Sequence, residues 1–117
     1  MSPSSLEGRR FRPAGAEALD AGGEVDVETT FEYHEEGDLV WARYSGGAIR
    51  LGHLVGLRAG DALEFRYSQL NASGETSTGH CRSTIHLRPD GRLELRETWE
   101  WESRPGAGTS TVVEVRD

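Results

Sequence analysis

Hydrophobic and polar residues alternate along most of the chain after about residue 25, and short glycine-containing turns interrupt the alternation at close intervals. A period of two is typical of strands whose two faces meet different environments. Turn sequences such as Ser73-Gly74 and Asp90-Gly91 indicate consecutive antiparallel hairpins. We therefore predict strands at residues 25–34, 38–46, 48–57, 62–71, 76–87, 92–103 and 109–116, with an eighth strand at 8–13.

The number and spacing of these strands favour a closed sheet. No long crossover separates them, which argues against parallel pairing. Closure removes exposed edges, and eight strands enclose an interior that side chains fill or that holds one small ligand. We expect an all-β fold, an antiparallel up-and-down meander closed into a small barrel of the calycin, lipocalin or avidin type, with a two-sheet β-sandwich as the alternative.

The domain organisation follows from the same pattern. A single β-barrel domain is expected at residues 8–117, after a disordered tail at residues 1–7. Only Ala14 to Asp20 shows a helical pattern, and the neighbouring glycines confine it to a turn or two.

One carboxylate interrupts the apolar phase of the segment at residues 93–102. Leu93, Leu95, Glu97, Trp99 and Trp101 share one face of a strand, because successive side chains point to opposite sides. Glutamate in such a position is costly unless it is hydrogen-bonded or used. Glu97 is therefore the first candidate for a functional residue.

Several other strands bring polar or aromatic residues into the inward phase. Ile49, Leu51, Val55 and Leu57 set a phase that carries His53 inward. In strand 38–46, an inward Val40-Ala42-Tyr44 is preferred over Leu39-Trp41. The candidate ligand-binding residues are then Tyr44, His53, Tyr67, Gln69, Cys81, Ser83, Trp99 and Trp101.

A part-apolar cavity with a few converging polar groups is typical of a small-molecule site. The first hypothesis is therefore a barrel that binds an apolar or aromatic ligand, with Glu97 as the polar anchor. The structural alternative is a fully satisfied network in which Glu97 bonds to Tyr67, Gln69 or Ser83 and fills the core.

Catalysis on the same scaffold is the second hypothesis. An apolar site raises the pKa of a carboxyl group, which suits Glu97 to act as acid or base in proton transfer or cyclisation. Tyr44 or Tyr67 could donate to a developing oxyanion. For Cys81, a buried inert thiol is favoured over a nucleophile, since His80 points to the opposite face of the strand and only His53 could activate it.

Composition excludes several partners. The net charge of −7 and the lack of a basic cluster argue against nucleic acid. No apolar run is long enough for a membrane span, and the first residues lack the apolar region of a signal peptide, so a cytoplasmic protein is expected. The scattered histidines predict no metal site, and the glycine pairs predict no phosphate loop, so no cofactor is expected.

A protein-interaction role is the third hypothesis. If Trp41 lies outside with Leu54 of the next strand, the pair could begin an exposed apolar patch. Such a patch predicts a homodimer or a protein-interaction module.

Six motifs occur in order over roughly residues 8–114: Tyr44-Ser45-Gly46-Gly47, Gly52-His53-Leu54-Val55-Gly56, Phe65-Arg66-Tyr67, Gly79-His80-Cys81, Asp90-Gly91-Arg92-Leu93 and Glu97-Thr98-Trp99-Glu100-Trp101. They resemble a family of short bacterial proteins of unknown function, often named N-acetylglutamate synthase. The resemblance implies no established catalytic residues. Because the chain offers neither an α/β fold nor a glycine-rich pyrophosphate loop, we do not expect acetyl transfer.

Overall fold

The computed structural model describes residues 4–15 and 24–116, and these residues form a closed antiparallel barrel. Each strand pairs with the next along the chain, and the last pairs with the first. The predicted eight-stranded meander is thereby confirmed over the sandwich. The strands are β1 (Arg10–Pro13), β2 (Thr30–Glu36), β3 (Leu39–Gly46), β4 (Ile49–Ala59), β5 (Ala62–Asn71), β6 (Thr76–Leu87), β7 (Leu93–Trp101) and β8 (Ala107–Glu114).

The alternation of the sequence places the core inside the barrel. Val40, Ala42 and Tyr44 of β3 are buried, as preferred from the sequence, and Trp41 lies on the outer face against His34. The strand bounds differ most from prediction at β2, which begins at residue 30 rather than 25 and leaves Val27 exposed, and at β8, which spans residues 107–114 rather than 109–116. β6 has the predicted bounds, but Leu87 at its end is exposed rather than inward.

The inward phase of β4 is the main error of the sequence prediction. The pairing of β4 with β5 shifts by one residue between Ile49 and Leu51. Because a bulge of one residue reverses the faces that follow it, Leu54 points inward and His53 outward. His53 is therefore exposed, not in the barrel interior.

The N-terminal segment closes the barrel at the end where the turns β2–β3 and β4–β5 lie. Leu6 is fully buried, and its amide donates to Glu35 Oε1 at 2.9 Å. Arg58 Nη1 donates to the same oxygen at 2.7 Å, in an ion pair that is mostly buried. The expectation of a disordered tail is thus wrong for residues 4–7, because an apolar side chain there covers the core; residues 1–3 lie outside the described part.

Residues 16–20 of the predicted helical turn also lie outside the described residues. Within residues 4–15 and 24–116 no helix is long and apolar enough to cross a membrane.

Candidate functional site

A cavity of about 60 Å³ opens toward the end of the barrel that carries the turns β3–β4, β5–β6 and β7–β8. Every strand from β2 to β8 contributes to its wall. The lining residues are Glu24, Val25, Phe31, Tyr44, Leu54, Phe65, Tyr67, Gln69, Cys81, Glu97, Trp99, Trp101 and Ser110.

Aromatic rings form much of the wall. Phe31 of β2 stacks on Tyr44 of β3 with ring centroids 4.6 Å apart. Trp101 meets both Trp99 and Tyr67 edge to face, with 5.7 Å between centroids in each pair. Such pairs hold each other in one geometry, so the rings form a preorganised apolar surface.

Glycines make room for the tyrosines. Gly52 of β4 lies beneath the ring of Tyr44, and a Cβ at this position would stand 2.3 Å from two ring atoms. Gly79 of β6 lies beneath Tyr67, whose hydroxyl would be 2.2 Å from an added Cβ. Both rings therefore lie closer to the backbone than any other residue type at these positions would permit.

Glu97 lies buried in the cavity wall at the middle of β7. Its neighbours across the sheet are Ser83 of β6 and Ser110 of β8. Ser110 Oγ donates to Glu97 Oε1 at 3.0 Å. Burial raises the pKa of Glu97 to about 7, because the charged form loses its hydration, although the bond from Ser110 opposes the shift.

Two buried hydroxyl groups close to this carboxylate lack partners. Ser83 Oγ and Tyr33 Oη are both shielded from water and have no hydrogen-bond partner among the described residues. The pKa of Tyr33 is raised well above its ordinary value, first by burial and then by Glu97. The interior around Glu97 therefore has unused hydrogen-bonding capacity.

A polar network borders the cavity on the side of the turn β5–β6. Tyr44 Oη donates to Gln69 Oε1 at 2.8 Å, and Gln69 Nε2 donates to Glu24 Oε1 at 2.9 Å. Asn71 Nδ2 donates to Glu24 Oε2 at 2.8 Å, and Arg104 approaches the same oxygen at 3.5 Å. Partial burial acts to raise the pKa of Glu24, but these partners outweigh it and hold the pKa below its ordinary value.

The cavity brings together most of the residues singled out from the sequence. Cys81 faces the cavity as a buried thiol. Burial raises the pKa of this thiol far above its ordinary value, and the nearby Glu97 raises it further. The thiol is therefore protonated and unreactive. Ser83 is buried beside Glu97 but outside the cavity lining, and His53 is outside the barrel. Those that line the cavity are Tyr44, Tyr67, Gln69, Cys81, Glu97, Trp99 and Trp101.

Sequence reasoning missed three polar features of the site. The inward position of Ser110 could have been predicted from the alternation of the last strand and from its register opposite Glu97. No sequence pattern marks Glu24 and Arg104, because they lie outside the strands and meet only when the barrel closes. The Tyr44 hydroxyl proposed as an oxyanion donor already donates to Gln69, so a substrate oxyanion would have to displace that bond.

No metal-binding group of three or more histidine, cysteine or acidic side chains occurs within the described residues.

No curated protein and no solved structure matches the chain. A family model described as avidin-like protein matches residues 4–115. Because this match spans nearly the whole sequence and the eight-stranded closed barrel agrees with it, the chain belongs to the avidin-like family.

Proposed function

We propose that the barrel binds a small ligand with an apolar or aromatic body, held by Glu97 as its polar anchor. The observation that carries the proposal is a buried carboxylate that accepts a hydrogen bond from Ser110 and faces a cavity walled by aromatic rings. Barrels of the avidin-like family typically bind small ligands, which supports this use of the interior.

The size of the cavity limits the ligand. A water molecule needs about 10 to 15 Å³ of such space, so about 60 Å³ holds roughly four to six groups of that size. A larger ligand would leave part of its body at the opening beside Tyr67 and Gln69. We expect a compact polar head near Glu97 and an apolar part packed against Trp99 and Trp101.

Tryptophan fluorescence offers a direct test. Trp99 and Trp101 line the cavity, whereas Trp41 lies on the outer face, so a Trp41→Phe background isolates the signal from the site. Titration with phenol and cyclohexanol, excited at a wavelength that tryptophan absorbs and phenol does not, should change this signal saturably for at least one compound. Cys81→Leu, which fills the cavity, should remove the response.

Thr98→Leu on the exposed face of β7 is the matched control, because it adds a similar volume outside the barrel. No response to any compound in the panel would contradict the proposal. An unchanged response in Cys81→Leu would show that binding occurs elsewhere.

The outer face of β3 and β4 supports a second function, self-association. Leu39 lies directly opposite Leu57, and Trp41 lies opposite Val55. Val55 and Leu57 are 57% and 60% exposed. Leu54, expected beside Trp41 from the sequence, is buried instead, and the bulge in β4 brings Val55 to that position.

We propose that this apolar face binds a second copy of the chain. Charged residues border it on both sides, Glu32 and Glu36 on β2 and Glu64 and Arg66 on β5. A two-fold axis through the face would place the apolar side chains of one copy against those of the other. Burial of these side chains from water would then favour a symmetric dimer.

Sedimentation velocity over a range of concentrations tests this dimer. Wild type should associate, and Val55→Glu should shift the protein to the monomer. Leu87→Glu is the control, since Leu87 is exposed at the end of β6 and outside the proposed face. A wild-type monomer at every concentration would exclude the dimer.

A further inference from the structure

The charged residues that line the cavity all have the same sign. Two of the residues that line the cavity can carry a charge, Glu24 and Glu97, and the described lining residues include no arginine or histidine. The chain contains no lysine. The site is therefore electrostatically complementary to a cation and would repel a carboxylate ligand.

The two carboxylates differ in how well they are compensated. Glu24 accepts hydrogen bonds from Gln69 and Asn71 and lies near the guanidinium of Arg104. Glu97 accepts one bond from Ser110 and forms no ion pair with any described residue. A buried carboxylate without a cation is strongly unfavourable, so Glu97 is the group that a positively charged ligand would satisfy.

The side chains that face Glu97 from the surrounding strands leave its charge unopposed. Besides Ser83 and Ser110, the titratable neighbours are Tyr33 of β2, Tyr44 of β3, Tyr67 of β5 and Cys81 of β6. Burial, as the largest cause, raises the pKa of each, and all four are uncharged near neutral pH. None of them can neutralise an ionised Glu97.

The walls of the cavity are also suited to a cation. Phe31, Tyr44, Phe65, Tyr67, Trp99 and Trp101 present aromatic rings, whose faces attract positive charge. Trp101 already makes such a contact at its border, where the guanidinium carbon of Arg104 lies 4.2 Å from the ring centroid. Aromatic rings around a carboxylate are the arrangement that recognises quaternary ammonium groups.

From this combination we infer that the ligand is a small organic cation, an alkylammonium or quaternary ammonium compound whose head lies between the aromatic rings and Glu97. The inference rests on the proposed ligand-binding function and narrows its ligand class. A trimethylammonium group, one nitrogen with three methyl groups, agrees in size with a cavity of about 60 Å³.

Choline and 3,3-dimethylbutan-1-ol form a matched pair of probes, because they share shape and differ in charge. Calorimetric titration at pH 8 should show choline binding at least about tenfold more tightly. Glu97→Gln, which retains the shape of the side chain, should reduce this preference to less than about threefold. Glu100→Gln on the outer face of β7 is the control and should leave the preference unchanged.

The pH dependence of the wild type provides a test that needs no variant. Choline has no proton to lose at its nitrogen, so its affinity should rise as Glu97 ionises between about pH 6 and pH 8. The affinity of 3,3-dimethylbutan-1-ol should not rise over this range. A flat profile for choline would overturn the inference even if Glu97→Gln failed to fold.

The outcomes separate this inference from the proposed function. If phenol, cyclohexanol or 3,3-dimethylbutan-1-ol binds in the cavity and choline binds no more tightly, the cationic ligand is excluded and the ligand-binding function stands. If no compound of either class binds, both proposals fail. If choline is preferred equally by wild type and Glu97→Gln, the cation is held by something other than this carboxylate, and the inference is wrong.

Discussion

Glu97 makes the stability of the barrel depend on pH. Its pKa is about 7 in the folded protein, against 4.5 for an exposed glutamate. Between these values the folded state binds more protons than the unfolded chain, so stability falls as pH increases. The stabilising contribution is fully present below pH 4.5 and is lost as pH rises through about 7; it amounts to about 3 kcal/mol.

The first prediction follows from this sign. Glu97→Gln should raise the free energy of unfolding relative to wild type more at pH 8 than at pH 5, because glutamine has no charge to bury. Its amide oxygen can still accept the bond from Ser110. Urea denaturation at the two pH values measures the difference, which should be on the order of 1 to 3 kcal/mol.

Glu100→Gln is the matched substitution on the exposed face of the same strand, where the carboxylate remains in water. Its effect on the free energy of unfolding should be small at both pH values. If Glu97→Gln changed stability equally at pH 5 and pH 8, the carboxyl group of Glu97 would not titrate in this range.

Individual residues differ in how well the sequence predicts them. Glu97, Trp99 and Trp101 lie on one face of an uninterrupted strand, so alternation alone gives their direction. The prediction for His53 is wrong, since a single-residue bulge carries no sequence signal and reverses every later side chain of β4. Glu24 could not be predicted, because its partners Gln69 and Asn71 are distant in the sequence.

At the scale of single strands, glycines in β4 and β6 determine how close the aromatic rings approach the sheet. Tyr44 cannot yield to a side chain at Gly52, because its ring stacks on Phe31 and its hydroxyl donates to Gln69. Gly52 and Gly56 therefore leave room on the inner face for Tyr44 and Phe65. Both glycines share this face with the buried Leu54, whereas Val55 and Leu57 point to the solvent.

We predict that Gly52→Ala costs about 1 to 3 kcal/mol through overpacking against Tyr44. Thermal and urea unfolding measure the loss, and ligand titration should show weaker binding as the ring moves. Combining Gly52→Ala with Tyr44→Leu should cost less than the sum of the two single changes, since the clash disappears.

Ser68→Ala, on the exposed face of β5, is the control and should remain within about 0.5 kcal/mol of wild type. Strict additivity of Gly52→Ala and Tyr44→Leu would show that the two residues do not interact.

Strand positions were largely predictable from turns and alternation, whereas the inward residues of β4 depended on contacts with Tyr44 and Phe65 that only the assembled sheet provides.

On the scale of the whole molecule, the two ends of the barrel are built differently. Apolar side chains, including Leu6, Phe11 and Leu95, fill the interior away from the cavity, and each is fully buried. The other end contains the polar network around Glu24. The closed end provides stability, and the open end carries the site.

We predict that Leu6→Ala destabilises the protein by about 2 to 5 kcal/mol, a cost typical of removing a fully buried leucine from a core. Leu87→Ala is the matched control, since Leu87 is 72% exposed, and it should have little effect. Equal effects of the two substitutions on urea unfolding would show that the N-terminal segment does not contribute to the core.

Barrel closure was predictable in outline because eight strands in one domain need their edges covered. The role of residues 4–7 was not, since one leucine among polar residues has no periodicity that marks it as buried. Its burial depends on the hydrogen bond to Glu35 and on the end of the barrel that it covers.

The pairing of β1 with β8 joins opposite ends of the sequence, with Phe11 opposite Glu114. During synthesis β8 follows the other seven strands, so the nascent sheet has two free edges until β8 has emerged from the ribosome. The cavity lacks its last wall for the same time, because Ser110, the partner of Glu97, belongs to β8. A chain that lacks β8 would therefore leave the edges of β1 and β7 open and the carboxylate of Glu97 without the hydrogen bond from Ser110.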